Sequence, residues 1–214
     1  MIETAEAPRL FLVTPPDLDP ATFPERLRAA LSATDIAAVL IASEGRAPAE
    51  DIAKELTPLI QEAGAAALIA GDTRLAGHVQ ADGVQVASGL ADLKLAIRSF
   101  QPKRIVGAGN IDSRDSAMDA GDAGADYVFF GRPHGDTHDE PHPKALEFAA
   151  WWSEVTDVPA VMMAGRSLLS LEATAMTGAA FVAVNQAIWA HPAGPVDAVR
   201  LAADSLRAAR RNAA

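Results

Sequence analysis

The chain has 214 residues, half of them apolar but only 5% aromatic, with no cysteine and a formal charge of −10. This length suits one domain with a full core, and the lack of cysteine excludes a disulfide framework, a cysteine-ligated metal and a thiol nucleophile. The acidic balance argues against a general affinity for nucleic acid or for an anionic membrane. The N-terminus lacks the basic region of a signal peptide and no apolar run reaches membrane-spanning length, so we expect a cytoplasmic protein.

Short apolar runs alternate along the chain with stretches of helical spacing. The runs predict eight strands: Leu10–Val13, Ile36–Ile41, Ala66–Ala70, Gly83–Val86, Arg104–Ala108, Tyr127–Phe130, Pro159–Met163 and Ala180–Val184. The stretches after them predict eight helices: Phe23–Leu31, capped by Thr22, then Ala47–Glu62, Leu75–Val79, Leu90–Phe100, Ser113–Ala123, Lys144–Val155, Leu168–Thr177 and Val196–Arg211. The count favours an α/β fold with a single TIM (β/α)8 barrel domain over residues 1–214, with an open doubly wound sheet as the alternative.

The sixth predicted strand and the loop that follows it give the clearest indication of a functional site. Tyr127–Phe130 is an unbroken apolar run that Gly131 ends, which is typical of a parallel strand buried on both faces. The following loop, Arg132–Pro143, is polar, interrupted by proline and rich in titratable groups. In α/β proteins, active sites lie in the loops at the carboxyl ends of parallel strands.

In a barrel, the residues that follow the strands share one rim. Here they are polar and rich in glycine, which predicts a functional surface: Thr14, Ser43–Arg46, Gly71–Arg74, Gln85–Gly89, Ala108–Asn110, Gly131–His142, Ala164–Arg166 and Asn185.

Two of these junctions fit a phosphate-binding site. Gly165 opens the loop after the seventh strand, and Val184-Asn185 opens the turn after the eighth. Backbone N–H groups at such termini bind phosphate without a cationic side chain. The alternative is that Gly165 only relieves a tight turn, and the residues alone do not decide between the two interpretations.

An aspartate and a set of three histidines could each bind a metal, and each also has a purely structural interpretation. Asp72 follows a buried strand and suits Mg²⁺, but its spacing favours the N-cap of the short helix that begins near Arg74. His134, His138 and His142 are spaced by four, and together with Asp136, Asp139 and Glu140 they resemble a transition-metal loop. The prolines and glycine among them argue against a helix that would align the imidazoles, so a solvated loop is favoured over a metal site.

Seven segments occur in an order and spacing that one known superfamily shares. They are Leu10–Thr14, Leu68–Arg74, Ala81–Gln85, Ile105–Gly107, Gly124–Gly131, Pro159–Gly165 and Ala179–Val184. They resemble its opening strand and its "LLINDR", "ADGVH", "IIG", "GADYVGFG", "PVVAIGG" and "GADGVAV" segments. On the basis of these segments, the chain from Leu10 to about Pro195 resembles the thiamine phosphate synthase and TenI-type thiazole tautomerase superfamily of TIM barrels.

The resemblance implies a reaction and a cofactor. Synthases of this family join an aminopyrimidine diphosphate to a thiazole phosphate and release pyrophosphate, using Mg²⁺. Asp72 resembles the metal-binding aspartate, and Asp92 is the nearest replacement for a second one. The partners implied are small-molecule phosphate esters, and a homodimer is kept open. Because one metal ligand is retained at its position, we expect Mg²⁺ to bind weakly unless a diphosphate is present.

The resemblance also assigns the anion-binding residues. Thr137, Gly165, Val184 and Asn185 resemble the thiazole-phosphate cradle. The family's cations after strands two and six have no counterpart, so Arg46, Arg74 and Arg132 are the candidates to neutralise the diphosphate. With these cations lost, we expect slow or undetectable synthase turnover.

Two alternatives to synthase activity are kept. One is a tautomerase-like enzyme that acts on a phosphorylated thiazole, with His134 as its acid–base group. The other is a diverged, non-catalytic barrel that binds a small phosphate ester.

Overall fold

The chain forms a closed barrel of eight parallel strands, in which each strand pairs with its sequence neighbours and β1 pairs with β8. The computed structural model describes residues 7–43 and 48–213. The strands are β1 Arg9–Val13, β2 Ile36–Ile41, β3 Ala66–Ala70, β4 Gly83–Val86, β5 Ile105–Ala108, β6 Tyr127–Phe130, β7 Ala160–Met163 and β8 Phe181–Val184. The predicted TIM barrel is therefore confirmed and the open sheet is excluded.

Helices alternate with the strands and cover the outside of the barrel. They are α1 Phe23–Leu31, α2 Glu50–Glu62, α3 Thr73–His78, α4 Leu90–Phe100, α5 Arg114–Asp122, α6 Pro143–Val155, α7 Ser170–Ala175, α8 Gln186–Trp189 and α9 Gly194–Ala213. In the described part of the chain, none combines the length and apolarity that a membrane crossing needs. The predicted start of α2 at Ala47, and Glu44, Gly45 and Arg46 of the predicted rim, lie outside the described residues.

The prediction that the Thr22 side chain caps α1 was wrong. Thr22 is the N-cap residue but makes no side-chain cap bond. Its hydroxyl donates instead to Asp19 Oδ2 at 2.9 Å. Side-chain caps normally need an extended backbone at the N-cap residue, whereas Thr22 has φ −115° and ψ −23°.

Helix α8 was not predicted from the sequence, and it closes the seam between β8 and β1. The indole Nε1 of Trp189 donates to the carbonyl of Val13 at 2.7 Å, and the Trp189 ring meets Phe23 edge to face. Arg26 in turn donates to the Trp189 carbonyl at 2.7 Å. These contacts fix the carboxyl end of β8 against the carboxyl end of β1.

The strands are buried on both faces, which explains their continuous apolar sequences. Leu10 and Leu12 of β1 pack outward in the layer between strands and helices. Phe11 points into the lumen, where it makes edge-to-face contacts with Tyr127 and Phe129 of β6 at 6.0 Å. The lumen is therefore a packed core rather than a channel.

A row of three residues on neighbouring strands explains why residue 107 is a glycine. The strand register places Gly107 of β5 between Gln85 of β4 and Tyr127 of β6. The Tyr127 hydroxyl crosses this gap and donates to Gln85 Oε1 at 3.0 Å, and burial raises the pKa of Tyr127. A Cβ on Gly107 would overlap the Tyr127 ring.

We therefore expect Gly107→Ala to destabilise the protein by about 1–3 kcal/mol, because the added methyl forces a buried aromatic ring to move. Urea unfolding measures the change. Gly77→Ala in α3 is the matched control, since its Cβ would meet only Arg104 Nη1 at 3.6 Å, and alanine favours a helix by up to about 1 kcal/mol. Equal stability of the two variants would contradict this account of the lumen.

Candidate active site

The predicted site residues lie at the carboxyl ends of the strands or in the loops and helix starts that follow them. Asp72 follows β3, Gly131 follows β6, Gly165 follows β7 and Asn185 follows β8. Because all eight strands are parallel, these ends share one rim of the barrel. The prediction that these four residues share a rim is confirmed.

Asp72 is the N-cap of α3, as its spacing favoured. Its Oδ1 accepts from the backbone N–H of Leu75 at 2.8 Å. One carboxylate oxygen is therefore used by the helix, while Oδ2 has no hydrogen-bond partner within residues 7–43 and 48–213. Arg74 is exposed in the first turn of the same helix.

Asp92 lies close to this junction. It is exposed in the first turn of α4 and lines a cavity of about 230 Å³ together with Gly71 and Thr73, the residues on either side of Asp72. The described residues contain no cluster of three or more histidine or acidic side chains able to hold a metal. Mg²⁺ needs only one or two carboxylates in addition to phosphate and water. The carboxylates of Asp72 and Asp92 are therefore suitable ligands for this ion.

A larger cavity, of about 640 Å³, opens between the carboxyl ends of β5, β6 and β7. Arg132, His134 and Thr137 line it, and its apolar wall includes Phe148 and Met163. Arg132 is exposed and has no ion-pair partner in the described part of the chain. The cavity thus combines an unpaired cation with an apolar surface, which suits an anionic aromatic ligand.

His134 is held in one orientation by the neighbouring rim. Its Nε2 lies 3.0 Å from the carbonyl oxygen of Thr14. A carbonyl only accepts, so Nε2 carries the proton and donates. In the neutral imidazole, Nδ1 is then the nitrogen that accepts a proton.

At the β7 end of the predicted phosphate cradle, the backbone N–H groups of Gly165 and its neighbour Arg166 are already engaged. The N–H of Gly165 donates to Ser170 Oγ at 3.0 Å. The N–H of Arg166 donates to the carbonyl of His138 at 2.7 Å. Gly165 is required here, because a Cβ would overlap the carbonyl oxygen of Asp139 and lie 2.6 Å from the carbonyl carbon of Glu140.

At the β8 junction lies a buried carboxylate, that of Asp136, which the sequence indicated only as part of a possible metal loop. Asp136 is 1% exposed, and its Oδ2 accepts from the backbone N–H of Gln186 at 2.6 Å. Its Oδ1 has no partner within the described residues, nor do the side-chain Nδ2 and Oδ1 of Asn185, which is also 1% exposed. Thr137, the predicted phosphate ligand beside it, is exposed and its hydroxyl lies 3.0 Å from His138 Nδ1.

Burial controls the ionisation of Asp136. Loss of hydration raises the pKa of its carboxyl group, although the Gln186 N–H, His134 and Arg166 act in the opposite direction. A buried carboxylate with one oxygen unpaired is costly, and such groups concentrate at functional sites.

Comparison with known proteins gives one consistent family. The family model described as thiamine monophosphate synthase matches residues 10–188. A thiamine-phosphate synthase of Rhodospirillum centenum is 38% identical over 195 residues, covering 89% of this chain and 94% of the relative. One of Hyphomonas neptunium is 34% identical over 200 residues, covering 90% of each chain.

A solved structure has the same architecture. Thiamine phosphate pyrophosphorylase from Pyrococcus furiosus superposes with a TM-score of 0.77, covering 94% of this chain and 96% of that chain. At 24% sequence identity, the likeness shows the barrel fold alone.

The raised pKa of Asp136 has a consequence for stability. An acid whose folded-state pKa is raised stabilises the fold at low pH, and this contribution is lost as the pH rises through the folded pKa. Asp136→Asn cannot ionise, so we expect it to be more stable than the wild type near pH 7, with the difference shrinking towards about pH 4. Thermal unfolding across this range measures it.

Glu140→Gln is the control, because Glu140 lies in the same loop but is exposed. A stability difference for Asp136→Asn that does not change with pH would contradict the assignment.

Proposed function

Because the chain belongs to the thiamine monophosphate synthase family, we propose that it joins an aminopyrimidine diphosphate to a thiazole phosphate and releases pyrophosphate. The observation that carries this proposal is the carboxyl rim itself. One cavity combines the unpaired Arg132 with apolar walls, and the capping carboxylate of Asp72 lies on the same rim. The synthase description of both relatives also favours this activity over the tautomerase and non-catalytic alternatives.

We assign the diphosphate end to the β3 and β4 junctions. Departure of pyrophosphate leaves charge on both fragments, so the main work of the site is electrostatic stabilisation. Arg74 follows Asp72 by two residues and its side chain is exposed at the rim, so it is placed to neutralise phosphate oxygens. Arg132 supplies a second cation from the larger cavity.

Asp72 and Asp92 would hold Mg²⁺, with Asp72 using the carboxylate oxygen that the α3 cap leaves open. When bound, Mg²⁺ supplies stabilisation of the negative charge on the departing group. Asp72 keeps the same conformation for both tasks, since the Leu75 N–H fixes its side chain before any ligand arrives.

The thiazole phosphate is assigned to the β7 and β8 junctions, at Thr137, Gly165, Val184 and Asn185. Support comes from the side-chain amide of Asn185, which is buried without a partner among the described residues. His134 is assigned the role of holding or accepting a proton at Nδ1 on the wall of the adjoining cavity.

Turnover is expected to be slow, because the family's cations after β2 and β6 are absent from this sequence. The proposal also includes a cytoplasmic location and a homodimer, both of which rest on the sequence alone.

Replacing either rim arginine should reduce activity. We expect Arg132→Ala and Arg74→Ala each to lower kcat/KM by about 10- to 100-fold, the loss of one charge-assisted contact to an anion. Product formation from both substrates with Mg²⁺ measures it. Arg98→Ala is the control, because Arg98 lies in the last turn of α4, at the opposite end of the barrel. Unchanged activity in both rim variants would show that other groups neutralise the diphosphate.

The two roles of Asp72 can be separated by one substitution. Asparagine caps helices as well as aspartate does but lacks the charge that a hard cation prefers. We expect Asp72→Asn to keep the thermal stability of the wild type while raising the Mg²⁺ concentration for half-maximal activity about tenfold or more. Asp122→Asn, near the end of α5, is the matched control. An unchanged Mg²⁺ dependence in Asp72→Asn would remove Asp72 from the metal site.

A further inference from the structure

The β6–α6 loop, residues 131–142, lies across the rim and contacts the β7–α7 turn. The carbonyl of His138 accepts from the N–H of Arg166 at 2.7 Å, and the carbonyl of Asp139 accepts from the N–H of Ser167 at 3.3 Å. The Arg166 guanidinium also pairs with the Asp139 carboxylate at 3.0 Å. Gly165 allows this approach, because any side chain there would overlap the loop backbone.

The same loop reaches two further strands. Asp136 Oδ2 accepts from the N–H of Gln186 after β8, and His134 Nε2 donates to the carbonyl of Thr14 after β1. The loop therefore bonds to three rim junctions other than its own. Its path covers the junctions to which the thiazole phosphate is assigned.

The loop contributes three acceptor oxygens to these junctions, one of which belongs to a carboxylate. Backbone N–H groups of Arg166, Ser167 and Gln186 face two carbonyl oxygens and one carboxylate oxygen. These are the donors that a phosphate group would use at this place. The carboxylate of Asp136 stands where a phosphate oxygen would accept from Gln186.

This arrangement leaves the site incompletely satisfied. Asp136 Oδ1 and both polar atoms of the Asn185 side chain are buried without a partner in the described part of the chain. Buried polar groups are normally paired, and each unpaired group weakens the arrangement that contains it. A phosphate offers more acceptor oxygens than the single carboxylate oxygen that now binds Gln186.

We infer that the β6–α6 loop is an autoinhibitory element in which the Asp136 carboxylate competes with the substrate phosphate for the Gln186 N–H. A phosphorylated substrate binds there only when the Asp136 side chain withdraws from Gln186. This inference rests on the proposed function, because that function places the phosphate at these junctions.

The test compares ligand binding by wild type, Asp136→Ala, Asp136→Asn and Glu140→Gln. Calorimetry uses thiazole phosphate and, as a second probe independent of the reaction, inorganic phosphate. Amide hydrogen exchange at Gln186 in the ligand-free proteins reports whether its N–H is still held. Glu140→Gln removes the same charge from the same loop at an exposed position, which separates local competition from a general charge effect.

We expect Asp136→Ala to bind both probes about tenfold or more tightly than the wild type, with faster exchange at Gln186. The affinity of Asp136→Asn should lie between those of Asp136→Ala and the wild type, since its amide oxygen still accepts a hydrogen bond but carries no charge. Glu140→Gln should match the wild type.

Equal affinities in all four proteins, with turnover intact, would overturn the inference and leave the proposed function standing. An equal gain in Glu140→Gln would also overturn it. Conversely, tighter phosphate binding by Asp136→Ala in a protein without synthase turnover would support the inference and refute the proposed function.

Discussion

Closure of β8 onto β1 is the constraint on which the rest of the structure depends. It places the carboxyl ends of all eight strands on one rim, so residues far apart in the sequence become neighbours. The indole of Trp189 secures the seam by donating to the carbonyl of Val13. Helix α8 is thereby fixed, and with it the N–H of Gln186 that Asp136 accepts from. The geometry of the β8 junction, to which we assign the phosphate, thus follows from the way the barrel closes.

The fold was predictable because burial on both faces leaves a strong pattern in the sequence. Strands such as Ile36–Ile41 and Tyr127–Phe130 were predicted with their observed bounds. The family resemblance drawn from the ordered segments is confirmed by the family model and the relatives. Helix α8 escaped prediction because four residues are too short to show helical periodicity. The Thr22 side-chain cap failed because the backbone of Thr22 is helical rather than extended, and an extended N-cap residue is what directs the side-chain oxygen at the first N–H groups of the helix.

The site was only partly predictable. Sequence placed Asp72, Gly131, Gly165 and Asn185 on one rim, since that follows from strand order alone. It named Asp136 only within a possible metal loop and did not find its bond, because the partner of that carboxylate is a backbone N–H fifty residues later, beyond α6, β7, α7 and β8. Two acidic residues therefore have roles that differ in kind: Asp72 supports a helix and leaves one oxygen open, whereas Asp136 is buried and occupies a donor that a ligand would need.

The chain is a barrel of the thiamine monophosphate synthase family, and we propose that its rim binds phosphate esters and that Asp136 of its own loop competes for part of that site. The most direct measurement is product analysis after incubating the purified protein with the aminopyrimidine diphosphate, the thiazole phosphate and Mg²⁺. The account predicts slow formation of thiamine phosphate with an equal amount of pyrophosphate, dependent on all three additions. Folded protein that forms no thiamine phosphate over many hours, under conditions where a related synthase does, would contradict it.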